Sequence, residues 1–177
     1  MATKWLIDPM HSEVQFKVKH LMITTVTGYF KSFNLEVETE NDDFTTASKI
    51  EFTADIDSIS TNNEQRDAHL KSDDFFNAEQ YPKMTFKSTK VERKSDGEFA
   101  LTGDLTIRDV TKPITLNVEY HGSTKDPWGQ QRMGFEAEGK INRKEFGLKW
   151  SAVTEAGGLV VADDVKIALN VEMIKQA

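Results

Sequence analysis

The chain has 177 residues, 38% of them apolar, and its 29 acidic side chains outnumber 22 basic ones for a net charge of −7. That length fits a single domain, read as residues 1–177, with enough apolar mass to bury a substantial core. The acidic balance argues against a nucleic-acid partner and against electrostatic docking on anionic lipid, no run of about 18 apolar residues offers a membrane span, and the lack of cysteine removes disulfide and thiolate chemistry.

No charged segment followed by a long apolar one opens the chain, so it is read as cytoplasmic, or periplasmic if an export signal has been trimmed. Asp8, His11 and Ser12 hold the residue types of a hydrolytic triad. Adjacent strand side chains face opposite sides and nothing supplies an oxyanion hole, so no catalytic constellation is read there. Val14, Phe16 and Val18 then alternate with polar neighbours, as a half-buried strand requires. His20 shares their parity and is expected to face inward near the strand end, donating either to a ligand headgroup or to a backbone carbonyl. Between Val26, Gly28 and Phe30 and the next set, Phe33, Leu35 and Val37, the apolar parity switches; one extra residue at Lys31 or Ser32 would do this, so a bulge or bend is expected. Ile50, Phe52, Ala54 and Ile56 resume the alternation.

Thr61 to Phe76 is the only convincing helical stretch. Thr61 and Glu64 read as a capping box opening a helix of about three turns, near residues 62–72, which Ser72, Asp73 and Asp74 end by competing for backbone hydrogen bonds. Phe75 and Phe76 follow, so this segment reads as a lid whose apolar end needs an apolar receiver. Arg66 could meet a headgroup oxygen, but Arg66 and Asp67 are preferred as a pair pinning the helix to a neighbouring loop.

Period-two alternation returns in Phe99, Leu101, Gly103, Leu105 and Ile107, in Ile114, Leu116, Val118 and Tyr120, in Met133, Phe135, Ala137, Gly139 and Ile141, and in Val165, Ile167, Leu169, Val171 and Met173. Turns are marked by Ser95-Asp96-Gly97, Asp109 to Pro113, and Asp126-Pro127-Trp128-Gly129. About eight antiparallel strands result, which suits an up-and-down barrel, although a sandwich would show the same alternation. His11, His20, His69 and His121 lack metal-binding spacing, and Asp42-Asp43 and Asp163-Asp164 read as loop solvation, so no metal is expected. Inward Phe16, Phe30, Phe33, Phe52, Phe75, Phe76, Phe86 and Phe135 could fill the interior; Gly28, Ala54, Gly103, Ala137 and Gly139 at the same parity favour a channel.

Ten segments, in order, carry a resemblance: Trp5 to Pro9 with His11-Ser12, Phe16 to Leu21, Gly28 to Phe30, Ser58 to Thr61, Arg66-Asp67 with His69-Leu70, Asp74 to Phe76, Tyr81-Pro82, Gly103 to Ile107, Thr111 to Pro113, and Asn142-Arg143 with Phe146 to Leu148. Together they resemble the YceI-like family of lipid- or polyisoprenoid-binding domains. The resemblance implies an eight-stranded antiparallel lipocalin-like barrel holding a long isoprenoid or quinone-like amphiphile, with no cofactor beyond that lipid, and it brings a homodimer into play. Asp109 stands where many relatives carry glycine, and is expected to keep that turn. The residues expected to line the ligand are Phe16, Val18, His20, Phe30, Phe52, Phe75, Phe76, Phe86, Leu105 and Phe135. The leading reading is a non-enzymatic carrier or store. Its rivals are an enzyme using His20, His69 and Arg143, and an interaction module with a filled barrel.

Overall fold

The computed structural model describes residues 2–40, 44–150 and 160–176. Its strands are β1 (Ala2–Ile7), β2 (Glu13–His20), β3 (Thr24–Phe30), β4 (Phe33–Glu40), β5 (Lys49–Asp55), β6 (Ile59–Ser60), β7 (Lys83–Ser95), β8 (Glu98–Ile107), β9 (Val110–Lys125), β10 (Gln131–Asn142) and β11 (Val161–Lys175). They form one sheet in the order β1-β4-β5-β7-β8-β9-β10-β11-β2-β3-β6, closed by a further pairing of β1 with β11.

Eleven segments make eight walls because three long strands are broken. β1 and β2 both run against β11, the first at Met173–Lys175 and the second between Val161 and Asn170, with the turn Pro9–His11 between them. β4 pairs with β1 and with β5, while β3 pairs with β2 and with β6. The break between β3 and β4 falls at Lys31–Ser32, where the parity switch demands it: Phe30 faces Ile59, and three residues later Phe33 faces Ala54. The displaced backbone is not left unbonded, since Lys31 N donates to Ser58 O (3.2 Å) and Asp55 N to Ser32 O (2.9 Å).

Inward side chains are not equally buried along the barrel. At the end formed by β1 and β4, Trp5, Val37 and Met173 are fully buried, and Trp5 Nε1 donates to Thr39 Oγ1 at 3.0 Å. Phe44, on the turn Phe44–Thr46, drops its ring among Phe99, Phe135 and Tyr120 at centroid distances of 5.2, 5.3 and 5.7 Å. That end is plugged. Toward the other end Phe16, Ile114, Val165, Ile167 and Leu169 face inward yet stay half-buried.

Several local expectations need correction. The helix α1 covers Glu64–Lys71, a turn shorter than expected, and its cap is Asn63, whose side chain accepts from Arg66 N. Asn62 takes φ +62°, so Thr61 lies outside the helix and no capping box forms. The β8–β9 connection is only Arg108–Asp109, with Ile107 paired to Val110, and Arg108 rather than Asp109 holds the positive φ of +55°. Pro113 is inside β9, tolerated because the pairing of β9 with β10 ends at Asn117 and leaves that stretch bonded to β8 alone. Asp163 and Asp164 are in β11 and pair with Lys144 (3.3 Å) and Lys140 (3.2 Å) instead of solvating a loop. Asp42 and Asp43 lie outside the described residues.

Candidate functional site

The half-buried inward residues surround a cavity of about 340 Å³ at the unplugged end. All ten residues expected at the ligand line it. Phe16, Val18 and His20 come from β2 and Phe30 from β3; Phe52, Phe86, Leu105 and Phe135 come from β5, β7, β8 and β10. Phe75 and Phe76 close it from the segment after α1, Phe76 edge-on to Phe30 at 6.0 Å. Among the described lining residues none is Asp or Glu, while Lys19, Arg66 and Arg143 are cationic.

The glycines shape this cavity differently from expectation. A Cβ on Gly28 would lie 2.2 Å from the Phe16 ring, one on Gly103 2.5 Å from Phe86, and one on Gly139 2.3 Å from Leu116. Their missing side chains are thus not open space. Each glycine lets a large neighbour lie flat against the wall instead of projecting into the lumen, the rescue of strand glycines by cross-strand packing.

The rim is ordered by two arginines that bind backbone. Arg143, 2% exposed, donates from Nε to Ala162 O (2.9 Å), from Nη1 to Leu148 O (2.6 Å) and Trp150 O (2.7 Å), and from Nη2 to Val161 O (3.3 Å). Burial pulls its pKa down, with Asp163 opposing. Arg108 donates to the carbonyls of Asp73, Phe75 and Gly147 and to Asp73 Oδ1 (2.9 Å), tying the lid segment to the β8–β9 turn. Neither clamp has a local sequence signal, because carbonyl acceptors carry no side-chain signature. Arg66 and Asp67 both bind Thr61, through Arg66 Nε to Thr61 Oγ1 (2.7 Å) and from Thr61 N to Asp67 Oδ1 (2.8 Å), the pinning role expected of the pair.

Of the groups an enzyme would use, Arg143 has its donors on carbonyls and His69 Nε2 lies 2.8 Å from Asp74 Oδ2, its ring packed against Phe75 and Trp150. His20 is exposed at the rim, paired with Thr24 and Val161. The Asp8–His11–Ser12 group is no triad: His11 Nδ1 is 2.7 Å from Asp8 Oδ2, but Ser12 Oγ accepts from Glu172 N (3.0 Å). Among the described residues two clusters bring metal-ligating atoms within 4.8 Å, each completed by a residue from a neighbouring strand: Asp8, His11 and Glu172, and Glu119, His121 and Glu136. In the first, Arg132 Nη1 already takes the cation's place, 2.8 Å from Asp8 Oδ2 and 2.7 Å from Glu172 Oε2. Burial alone would raise the Asp8 pKa, but hydrogen bonds from His11, Arg132 and Met10 N hold it at about 2.

Comparison with known proteins places this architecture. The chain is 40% identical over 178 residues to protein YceI of Escherichia coli O157:H7, covering 99% of this chain and 89% of that one. Among solved structures, a YceI protein of Campylobacter jejuni superposes with a TM-score of 0.77 at 35% identity over 90% of both chains. A polyisoprenoid-binding domain from Saccharophagus degradans has the same fold, with a TM-score of 0.68 at 15% identity over 97% of this chain and 98% of that one. The model of the YceI-like domain matches residues 5–173, and the chain belongs to the YceI-like family.

Proposed function

We propose that the barrel binds, stores or carries a long-chain isoprenoid or quinone-type amphiphile without changing it chemically. The observation that carries this reading is the cavity: apolar, closed at the plugged end, covered by the Phe75–Phe76 segment, and free of carboxylates among its described lining residues. At about 340 Å³ it is at the lower end of the roughly 300–1,000 Å³ typical of small-molecule sites. A long tail therefore requires Phe75 and Phe76 to move outward or part of the chain to remain at the mouth. Affinity would come from apolar burial, roughly 25 cal/mol per Å² before ordering costs. The family's polyisoprenoid-binding structural neighbour supports the ligand class. Among the described lining residues none offers an activated nucleophile, which favours carriage over catalysis.

Native mass spectrometry of freshly purified protein, followed by organic extraction, tests the reading. A stoichiometric prenyl or quinone mass, or one-to-one uptake of added geranylgeraniol, is expected. An empty protein that also refuses geranylgeraniol would contradict it.

A further inference from the structure

The β2–β3 hairpin turns at the mouth of the cavity, and its chemistry is unusual. Ile23 N donates to His20 O (3.1 Å), closing a four-residue turn whose central residues, Leu21 and Met22, have φ of +52° and +59°. Two positive φ values define a primed turn, where Asn-Gly is the low-strain choice. Leu-Met is strained there, and strain retained in a surface turn points to a use for those side chains. That use is not packing: Met22 is 58% and Ile23 77% exposed, and Leu21 is exposed with them.

Charge around the tip runs against the chain's sum. Along the hairpin, from Val14 to Phe30, there are two lysines, Lys17 and Lys19, with His20, and no carboxylate. Lys17 lies directly opposite Lys166, and Lys166 opposite Lys140, a row of like charges across β2, β11 and β10 that destabilises a sheet. Asp164 neutralises Lys140 and Asp163 meets Lys144, but Lys17, Lys19 and Lys166 have no ion pair among the described residues. The same strands line the cavity through Val18, His20 and Val161, and Leu21 N donates to Val160 O (2.8 Å) at its rim.

We infer that this hairpin docks on an anionic lipid bilayer, Leu21, Met22 and Ile23 entering the interface while the lysines meet headgroups, so that an amphiphile passes between bilayer and cavity without crossing water. Three apolar side chains on a convex tip are too little for a protein interface, which needs about 800 Å² per partner; they suit an interfacial anchor with flanking basic residues. The net charge of −7 is a sum over the whole chain, whereas the proposed contact depends on the local lysines.

The passage of an amphiphile between bilayer and cavity rests on the carrier reading, and the test separates the two. Ligand-free protein is sedimented with vesicles of phosphatidylcholine and phosphatidylglycerol, and with phosphatidylcholine alone. Association is expected only with the anionic vesicles, falling about tenfold in Ile23→Asp and about fivefold for each of Lys17→Gln and Lys166→Gln. The double variant Leu21→Asn, Met22→Gly relieves the turn strain, so its melting temperature should rise while docking is lost, which rules out unfolding as the cause. Equal sedimentation of that variant, no preference for anionic vesicles, or self-association through the hairpin in place of vesicle binding would overturn the inference. Uptake of geranylgeraniol from solution should be unchanged in Ile23→Asp. Uptake without docking overturns the docking surface alone; docking without uptake overturns the carrier.

Discussion

Arg143 shows how a charged side chain can be structural beside an apolar cavity. Its guanidinium donates to the carbonyls of Leu148, Trp150, Val161 and Ala162, the bonds to Leu148 and Ala162 being buried. Arg143→Leu should cost about 3 kcal/mol and lower the melting temperature by roughly 6–12 °C, with Arg143→Lys rescuing only part because an ammonium cannot span four acceptors. Calorimetry checks this, and an unchanged melting temperature in Arg143→Leu would refute the clamp. His11 offers a second residue-scale test. Its hydrogen bond with Asp8, helped by the charges of Asp8 and Glu172, raises its pKa above 6.5. A raised histidine stabilises the fold fully below about pH 6.5 and stops doing so as pH climbs through the raised value; Asp8, held at about 2 against 3.8, stabilises above about 3.8 and fails toward 2. The urea midpoint of the wild type should therefore exceed that of His11→Gln more at about pH 5 than at about pH 9. A difference independent of pH would contradict the pairing. The arginine clamp was invisible in the sequence because its partners are main chain; His20 shares the parity of Val14, Phe16 and Val18, but its position at the strand end leaves it exposed at the rim instead of inside.

Elements were legible to the extent that period-two patterning controls them. The break at Lys31–Ser32 follows from parity, since a slip of one residue would turn Phe33, Leu35 and Val37 to water. The start of α1 was not legible, because the left-handed φ of Asn62 moves the cap from Thr61 to Asn63. Asn63→Ala should destabilise the helix by about 1 kcal/mol, seen as faster amide exchange over Glu64–Lys71, while Glu64→Ala should change little. The reverse order would restore the capping box. The Phe75–Phe76 lid gives a further prediction: Phe76→Asp should raise the ligand dissociation constant at least tenfold while the far-ultraviolet spectrum of the barrel persists. Retention equal to the wild type would remove the lid from the account.

At the scale of the molecule the barrel has two unlike ends, and this division was the least readable feature. The same inward residues suit a filled barrel or a hollow one; the structure has both, because Phe44, which lies outside the alternating strands, fills one end with Phe99, Tyr120 and Phe135. The central claim is that an amphiphile occupies the other end. Tryptophan placement makes this measurable: Trp150 lines the cavity, Trp5 is buried in the plugged end, and Trp128 is exposed. Titration of ligand-free protein with geranylgeraniol, followed by tryptophan fluorescence, should give a saturable change at one equivalent that disappears in Trp150→Phe. No saturable change, or one that survives in Trp150→Phe, would contradict the account.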